Sequence, residues 1–308
     1  MSVVARPSAS PKQRALRLSA AFALTALASV PVVVVWFTFQ AVGSVLNPPR
    51  NTNPANPGDR GFAFERVTLR SRDGLDLAAW FIPAGPAAVV VGHGHGGSKA
   101  TMLDHAEFLV RQGGYSVLML DFRNSGESQQ AVSTLGYHEW QDVAAAISYL
   151  ANRPGITQDR IAVLGVSLGA ASAMMLGEAA HQVRAVVADS GFATGDSLVG
   201  RFDRWFRLPS WPFSFLVPLA VQLRIGLKPA DVSPVSRVAA MAPAALFVIH
   251  GEDDAGIPTE DARRLFAAAG EPKELWIVPG AEHGAGLSTA PGEYRSRVLR
   301  FLARYLDR

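Results

Sequence analysis

Along most of the chain, short unbroken apolar runs end in glycine or a polar residue and alternate with stretches of helical periodicity. The runs are "AAVVVGHG" at 87–94, "YSVLMLDF" at 115–122, "RIAVLGVS" at 160–167, "VRAVVADS" at 183–190, "AALFVIHG" at 244–251 and "KELWIVPG" at 273–280. Continuous apolar runs of this length predict parallel strands buried on both faces. Residues 62–70 and 75–82 flank the turn "SRDG", which predicts an antiparallel hairpin ahead of them. Helical periodicity falls near 99–112, 138–152, 168–180, 259–269 and 293–307. The expected fold is therefore α/β, a mostly parallel eight-stranded sheet covered by helices on both sides. Ligands of such sheets bind at the carboxyl ends of the strands. That rule directs attention to 94–97, Asp121, Ser167, Asp189, Asp254 and the residues after Pro279.

Two segments break the rhythm. "NPPRNTNPANPGDRG" at 47–61 is spaced by prolines that exclude helix and interior strand, and reads as a linker. Residues 191–243 are too long for a structureless loop, so they predict a helical cap over the strand ends. Part of this cap's aromatic content must fill its own small core. Trp205, Phe206, Trp211, Phe213 and Phe215 are candidates to line an acyl pocket or touch a membrane. Arg201, Arg204 and Arg207 between them read as solvated charge or as contacts to an anionic group.

The first 46 residues form a separate unit. Residues 18–39 carry no charge and as a helix would extend about 33 Å, enough to cross a hydrocarbon core of about 30 Å. Arg6, Lys12, Arg14 and Arg17 precede this span and no basic residue follows until Arg50, which orients the N-terminus toward the cytoplasm. The expectation is an uncleaved single-pass anchor with the rest of the chain on the extracytoplasmic side. The alternative is a signal peptide cut after "ALA" at 26–28, which would leave "SVPVVVVWFTFQAV" as an apolar N-terminus. The expected domains are thus an anchor over 1–46, a linker over 47–61 and an α/β domain over 62–308.

Charge excludes one class of partner. The net charge is +3, but setting aside the five basic residues before Asp59 leaves 24 Lys and Arg against 26 acidic residues. No basic face of the kind nucleic acid needs is implied. The chain has no cysteine, so thiol nucleophiles, zinc thiolates and disulfides are impossible.

The chemistry concentrates on one strand end. In "GVSLG" at 165–169, Gly165 and Gly169 flank Ser167 where a strand turns into a helix, the pattern of a nucleophile elbow. Serine needs a base, and the base an orienting acid. Carboxylates follow a later strand in "HGEDDAGIP" at 250–258, and His283 follows the last strand in "PGAEHGAG" at 279–286. Serine, acid and histidine in that order suit a triad on such a sheet.

Residues 62–308 resemble the α/β-hydrolase superfamily, in its branch of small serine hydrolases related to esterases, lysophospholipase-like enzymes and prolyl-oligopeptidase-like domains. The resemblance rests on "HGHGGS" at 93–98, "DFRNSGES" at 121–128, "GVSLG", "HGEDDAGIP" and "GAEH" at 280–283. It implies Ser167 as nucleophile, His283 as base and Asp254, not Asp253, as the acid. It also implies oxyanion donation by the backbone N–H groups of His95 and Leu168. Asp189 is the reserve acid, and the His95 side chain has no implied role. The expected activity is hydrolysis of a carboxylic ester, thioester or amide through an acyl-enzyme, on a small apolar acyl substrate, with no metal or organic cofactor. A peptidase of the same fold and an inactive binding module are the alternatives. A dinucleotide site is a further reading, since Gly92, Gly94 and Gly97 satisfy G-x-G-x-x-G and Asp121 ends the next strand. It leaves the elbow and His283 unexplained, and Asp121 reads instead as the brace of the "RNSGES" turn.

Overall fold

The computed structural model describes residues 10–202 and 206–307. Helix α1 (Pro11–Leu46) starts at Ser10, whose side chain and that of Gln13 form a reciprocal cap with Pro11 in the first turn. A single turn of 3₁₀ helix follows at Pro57–Arg60 inside the segment expected to be free of helix. Pro57 opens that turn, where its missing N–H costs nothing, and Asn56 accepts from the Gly58 amide at 2.9 Å.

The remaining elements alternate as the apolar runs dictate. They are β1 (Glu65–Arg70), β2 (Asp76–Ile82), β3 (Ala88–Gly92), α2 (Leu103–Arg111), β4 (Ser116–Leu120), α3 (Glu139–Ala151), β5 (Ile161–Val166), α4 (Leu168–Met174) and β6 (Ala185–Asp189). The cap contributes α5 (Gly195–Val199), α6 (Ser210–Ile225) and α7 (Pro234–Arg237). Then come β7 (Ala245–Gly251), α8 (Thr259–Ala268), β8 (Lys273–Val278), α9 (Gly286–Thr289) and α10 (Pro291–Leu306).

Among the described residues the strands form one eight-stranded sheet in the order β1-β2-β4-β3-β5-β6-β7-β8. The β1–β2 and β2–β4 pairs are antiparallel, and every pair from β4 to β8 is parallel. Each interior strand divides its side chains between two cores. In β3, Val90 packs with Val143, Ile147 and Ala170 beneath α3 and α4, while Val89 and Val91 pack with Phe108, Tyr294 and Phe301 beneath α2 and α10. Burial on both faces is why these strands read as unbroken apolar runs.

A third core joins elements that the sequence separates. Ala41, Val42 and Leu46 at the end of α1 pack against Phe202, Phe213, Val217 and Ala220 of the cap. The Phe37 and Phe213 rings meet edge to face at 6.1 Å. The Leu46 carbonyl also accepts from the Ser133 amide at 2.9 Å, so the helix end is held by the domain that follows the linker.

Candidate active site

The elbow is built by close approach. Ser167, between β5 and α4, has φ 54° and ψ −108°, a strained conformation for a residue with a side chain. A Cβ on Gly165 would lie 2.3 Å from the carbonyl carbon and oxygen of Gly169, and one on Gly169 would lie 2.4 Å from the Gly92 carbonyl oxygen. Strand, turn and helix therefore fit together only with glycine at both positions. The Ser167 amide donates to the Asp189 carbonyl at 2.8 Å and the Gly169 amide to the His93 carbonyl at 3.1 Å, which pins the turn to its neighbours.

His283 lies in the loop after β8, with Nε2 2.8 Å from Ser167 Oγ and Nδ1 2.7 Å from Asp254 Oδ2. The other oxygen of Asp254 accepts from the amides of Gly256 at 2.9 Å and Ile257 at 2.7 Å. Burial opposes ionisation of Asp254, but the His283 hydrogen bond and the Ile257 amide outweigh it and hold the carboxyl below its ordinary range. Asp253 is exposed. Asp189 is spent elsewhere: it accepts from Tyr294 Oη at 2.8 Å and Ser190 Oγ at 2.9 Å, and burial raises its carboxyl pKa although those two bonds oppose the rise.

Three further residues support this arrangement without having been singled out from the sequence. His250, fully buried, places Nε2 3.3 Å from Asp254 Oδ2 and 2.9 Å from the Ile257 carbonyl, to which it donates. Ser190, at φ 56°, accepts the Gly284 amide at 3.0 Å and so fixes the residue after His283. His93 accepts the Phe122 amide on Nε2 at 3.1 Å and donates from Nδ1 to the Gly94 carbonyl at 2.7 Å. Desolvation lowers the His93 pKa, which keeps the ring in the neutral form those two bonds require. All three positions stood inside stretches quoted above, but only spatial contact shows what they hold.

His95 and Leu168 both line the cavity above Ser167, and among the described residues neither amide donates to another protein group. The His95 ring is exposed and interacts with the Val45 carbonyl. The cavity measures about 500 Å³, and its apolar wall is made by Val45, Leu135, Val166, Leu168, Phe192, Leu198 and Ile257. This corrects the expectation that the cap aromatics line the acyl pocket. Phe213 is buried against α1, Phe206, Trp211 and Phe215 are exposed, none of them lines the cavity, and Trp205 and Arg204 lie outside the described residues. The reason is α1: its last turns take the place beside the cavity and draw the buried face of α6 toward themselves. Arg201 donates to the Ala255 carbonyl at 3.4 Å, and Arg207 is exposed.

The dinucleotide reading fails at Asp121. Its buried carboxylate is filled by the Lys99 amide at 2.7 Å, the Glu127 amide at 2.8 Å and the Lys99 ammonium, leaving no acceptor for a ribose. These bonds brace the turn after β4, as expected from the sequence. Among the described residues no group of three or more histidines and acids could hold a metal ion.

An eight-stranded sheet of this order, with a serine on the β5 elbow, defines an α/β hydrolase. The model of the prolyl oligopeptidase family matches residues 101–308, and the chain belongs to that family. It is 30% identical to the uncharacterised protein YqkD of Bacillus subtilis over 225 residues, 72% of this chain and 73% of the relative. It is 26% identical to the uncharacterised protein YfhR of Escherichia coli K12 over 260 residues, 81% of this chain and 84% of the relative. Among solved structures, the esterase Pf2001 of Pyrococcus furiosus superposes with a TM-score of 0.73 at 29% identity, covering 85% of this chain and 98% of its own.

Proposed function

We propose that the protein is a membrane-anchored serine hydrolase that cleaves carboxylic esters of apolar acyl groups. The observation that carries this reading is the hydrogen-bonded chain from Ser167 through His283 to Asp254 at the floor of an apolar cavity. In the reaction, Ser167 Oγ attacks the acyl carbon while His283 Nε2 takes its proton. Asp254 fixes the imidazole tautomer and stabilises the cation that forms. The negative oxygen of the tetrahedral intermediate lies against the amides of His95 and Leu168. Collapse expels the alcohol, which takes the proton from His283, and leaves the acyl group on Ser167. Water then attacks with His283 again as base, releasing the acid and restoring the serine.

The likeness to a solved esterase supports an ester as substrate. The second reading, a peptidase of the same fold, is favoured by the family match. A panel of chromogenic acyl esters beside aminoacyl amides separates the two. The mechanism itself is tested with a fluorophosphonate probe, which should label the wild type and not Ser167→Ala. The same substitution should lower turnover by several powers of ten, and unchanged hydrolysis would overturn it.

The anchor reading rests on α1, whose apolar part is long enough to span a bilayer and whose exposed residues include Phe22, Leu24, Val33 and Trp36. The catalytic domain then lies on the extracytoplasmic side. Resistance to carbonate extraction is the expected result; a mature N-terminus at Ser29 would instead establish a secreted form.

A further inference from the structure

Among the described residues after the linker begins, the exposed large apolar side chains are Val132 and five residues of the cap. Those five are Phe206, Trp211, Phe215, Leu219 and Leu223, and the last four recur at every fourth position along α6. Phe215, Leu219 and Leu223, four apart on the regular part of α6, share one helix face and make a stripe, and Trp211 stands at the non-helical kink before them. Trp211 is 80% exposed, Phe215 69% and Leu223 65%. The opposite face of α6 is already used, with Phe213, Val217 and Ala220 buried on α1. The stripe thus lies beyond what the fold itself needs, and soluble surfaces seldom carry so concentrated an apolar patch.

Its position says what covers it. The exposed apolar surface of α1 runs down to Trp36, and the packing of α1 against the cap overlaps its end, taking in Val34 and Phe37. With α1 read as a span, α6 lies beside the point where it leaves the hydrocarbon core. The segment is also one-sided in charge. No acidic residue occurs between Asp203 and Asp231, whereas Arg204, Arg207, Arg224 and Lys228 do. Apolar side chains with tryptophan at one end and basic residues around them are the composition of an interfacial helix.

We propose that α6 is a second membrane contact, laid in the leaflet that α1 crosses, with the side chains from Trp211 to Leu223 in the acyl region and Arg207, Arg224 and Lys228 among anionic headgroups. This rests on the reading of α1 as a membrane span. It ties the catalytic cavity to the bilayer surface, because Val45 of the cavity wall belongs to the same α1–cap packing. Substrate would then reach Ser167 as an acyl ester already partitioned into the membrane.

The absence of cysteine gives a clean test. Single substitutions Phe215→Cys and Leu223→Cys in the full chain, labelled with an environment-sensitive fluorophore, are reconstituted in vesicles of mixed zwitterionic and anionic phospholipid. Val33→Cys on α1 and the exposed Arg300→Cys on α10 serve as references. The expected result is quenching at 33, 215 and 223 by nitroxide-bearing lipid, shallow at 215 and 223, and quenching at 300 only by aqueous iodide. Iodide quenching at 215 and 223 with lipid quenching at 33 would overturn the proposal while leaving the span intact. Protection from both quenchers at 215 and 223 would also overturn it, showing that a second copy of the chain covers the stripe. Aqueous behaviour at 33 would remove the span itself. Lipid quenching at 215 and 223 in that case would still establish the cap contact.

Discussion

Val45 belongs to the helix expected to serve only as an anchor, yet it forms part of the cavity wall over Ser167. If an acyl chain occupies the cavity of about 500 Å³, the side chain at position 45 sets how much of it fits. Val45→Phe adds about four carbons to one wall and should displace three to four methylenes of the acyl chain. At about 0.8 kcal/mol per buried methylene, each displaced group lowers kcat/KM about fourfold. The sum is about 3 kcal/mol, a loss of about 10²-fold for octanoyl and longer esters, with the acetyl ester changed by no more than about twofold. Val45→Ala should leave short esters alone and move the preferred length upward. The assay is kcat/KM for a series of p-nitrophenyl esters from acetyl to dodecanoyl on the full-length protein in detergent. An equal fall at every chain length would mean that the variant damages the elbow. An unchanged length profile would refute the placement of Val45 in the acyl site.

Other perturbations follow from the same geometry. Asp254→Asn should lower kcat by about 10⁴ through the wrong imidazole tautomer, whereas Asp253→Asn should be near wild type. Asp189→Asn should weaken thermal stability through its bonds to Tyr294 and Ser190 yet keep turnover, and an inactive Asp189→Asn beside an active Asp254→Asn would reverse the assignment. Gly165→Ala, whose Cβ would meet the Gly169 backbone at 2.3 Å, should abolish soluble active protein, while Gly292→Ala, with open space around it, should be neutral or slightly stabilising in expression and melting assays. His105 is buried with both ring nitrogens unpartnered, and burial drives its pKa from 6.5 to about 4. Above pH 6.5 it is neutral in both folded and unfolded chains. As pH falls from 6.5 to 4 only the unfolded chain takes up the proton, so about 3 kcal/mol of stability is lost over that window. His105→Phe should flatten the dependence of Tm on pH there, and an unchanged slope would refute the cause.

The sheet was legible in the sequence because its strands are buried on both faces, and such strands leave short apolar runs ending in glycine or a polar residue and spaced by helical patterns. The elbow was legible for a related reason. Its backbone contacts exclude any Cβ at Gly165 and Gly169, so the constraint is written directly as residue type. The position of His283 after the last strand followed from chain order. What order could not give was partnership. Asp189 ends a strand and Asp253 and Asp254 follow one, and only the meeting of the loops after the neighbouring strands β7 and β8 puts Asp254, with two amides on its far oxygen, against His283. His250 and Ser190 were equally silent, because a buried brace is defined by its neighbours and not by its spacing.

Residues 41–46 and the cap show the same limit from the other side. Read locally, the end of α1 is the tail of an apolar span and the cap aromatics are the wall nearest the active serine. In the folded chain Val45 takes a place in that wall, Phe213 turns to α1, and Trp211 and Phe215 face outward. Apolar character alone states that a side chain will leave water. Which surface receives it depends on segments distant in sequence arriving at the same place, and that is settled only by tertiary packing.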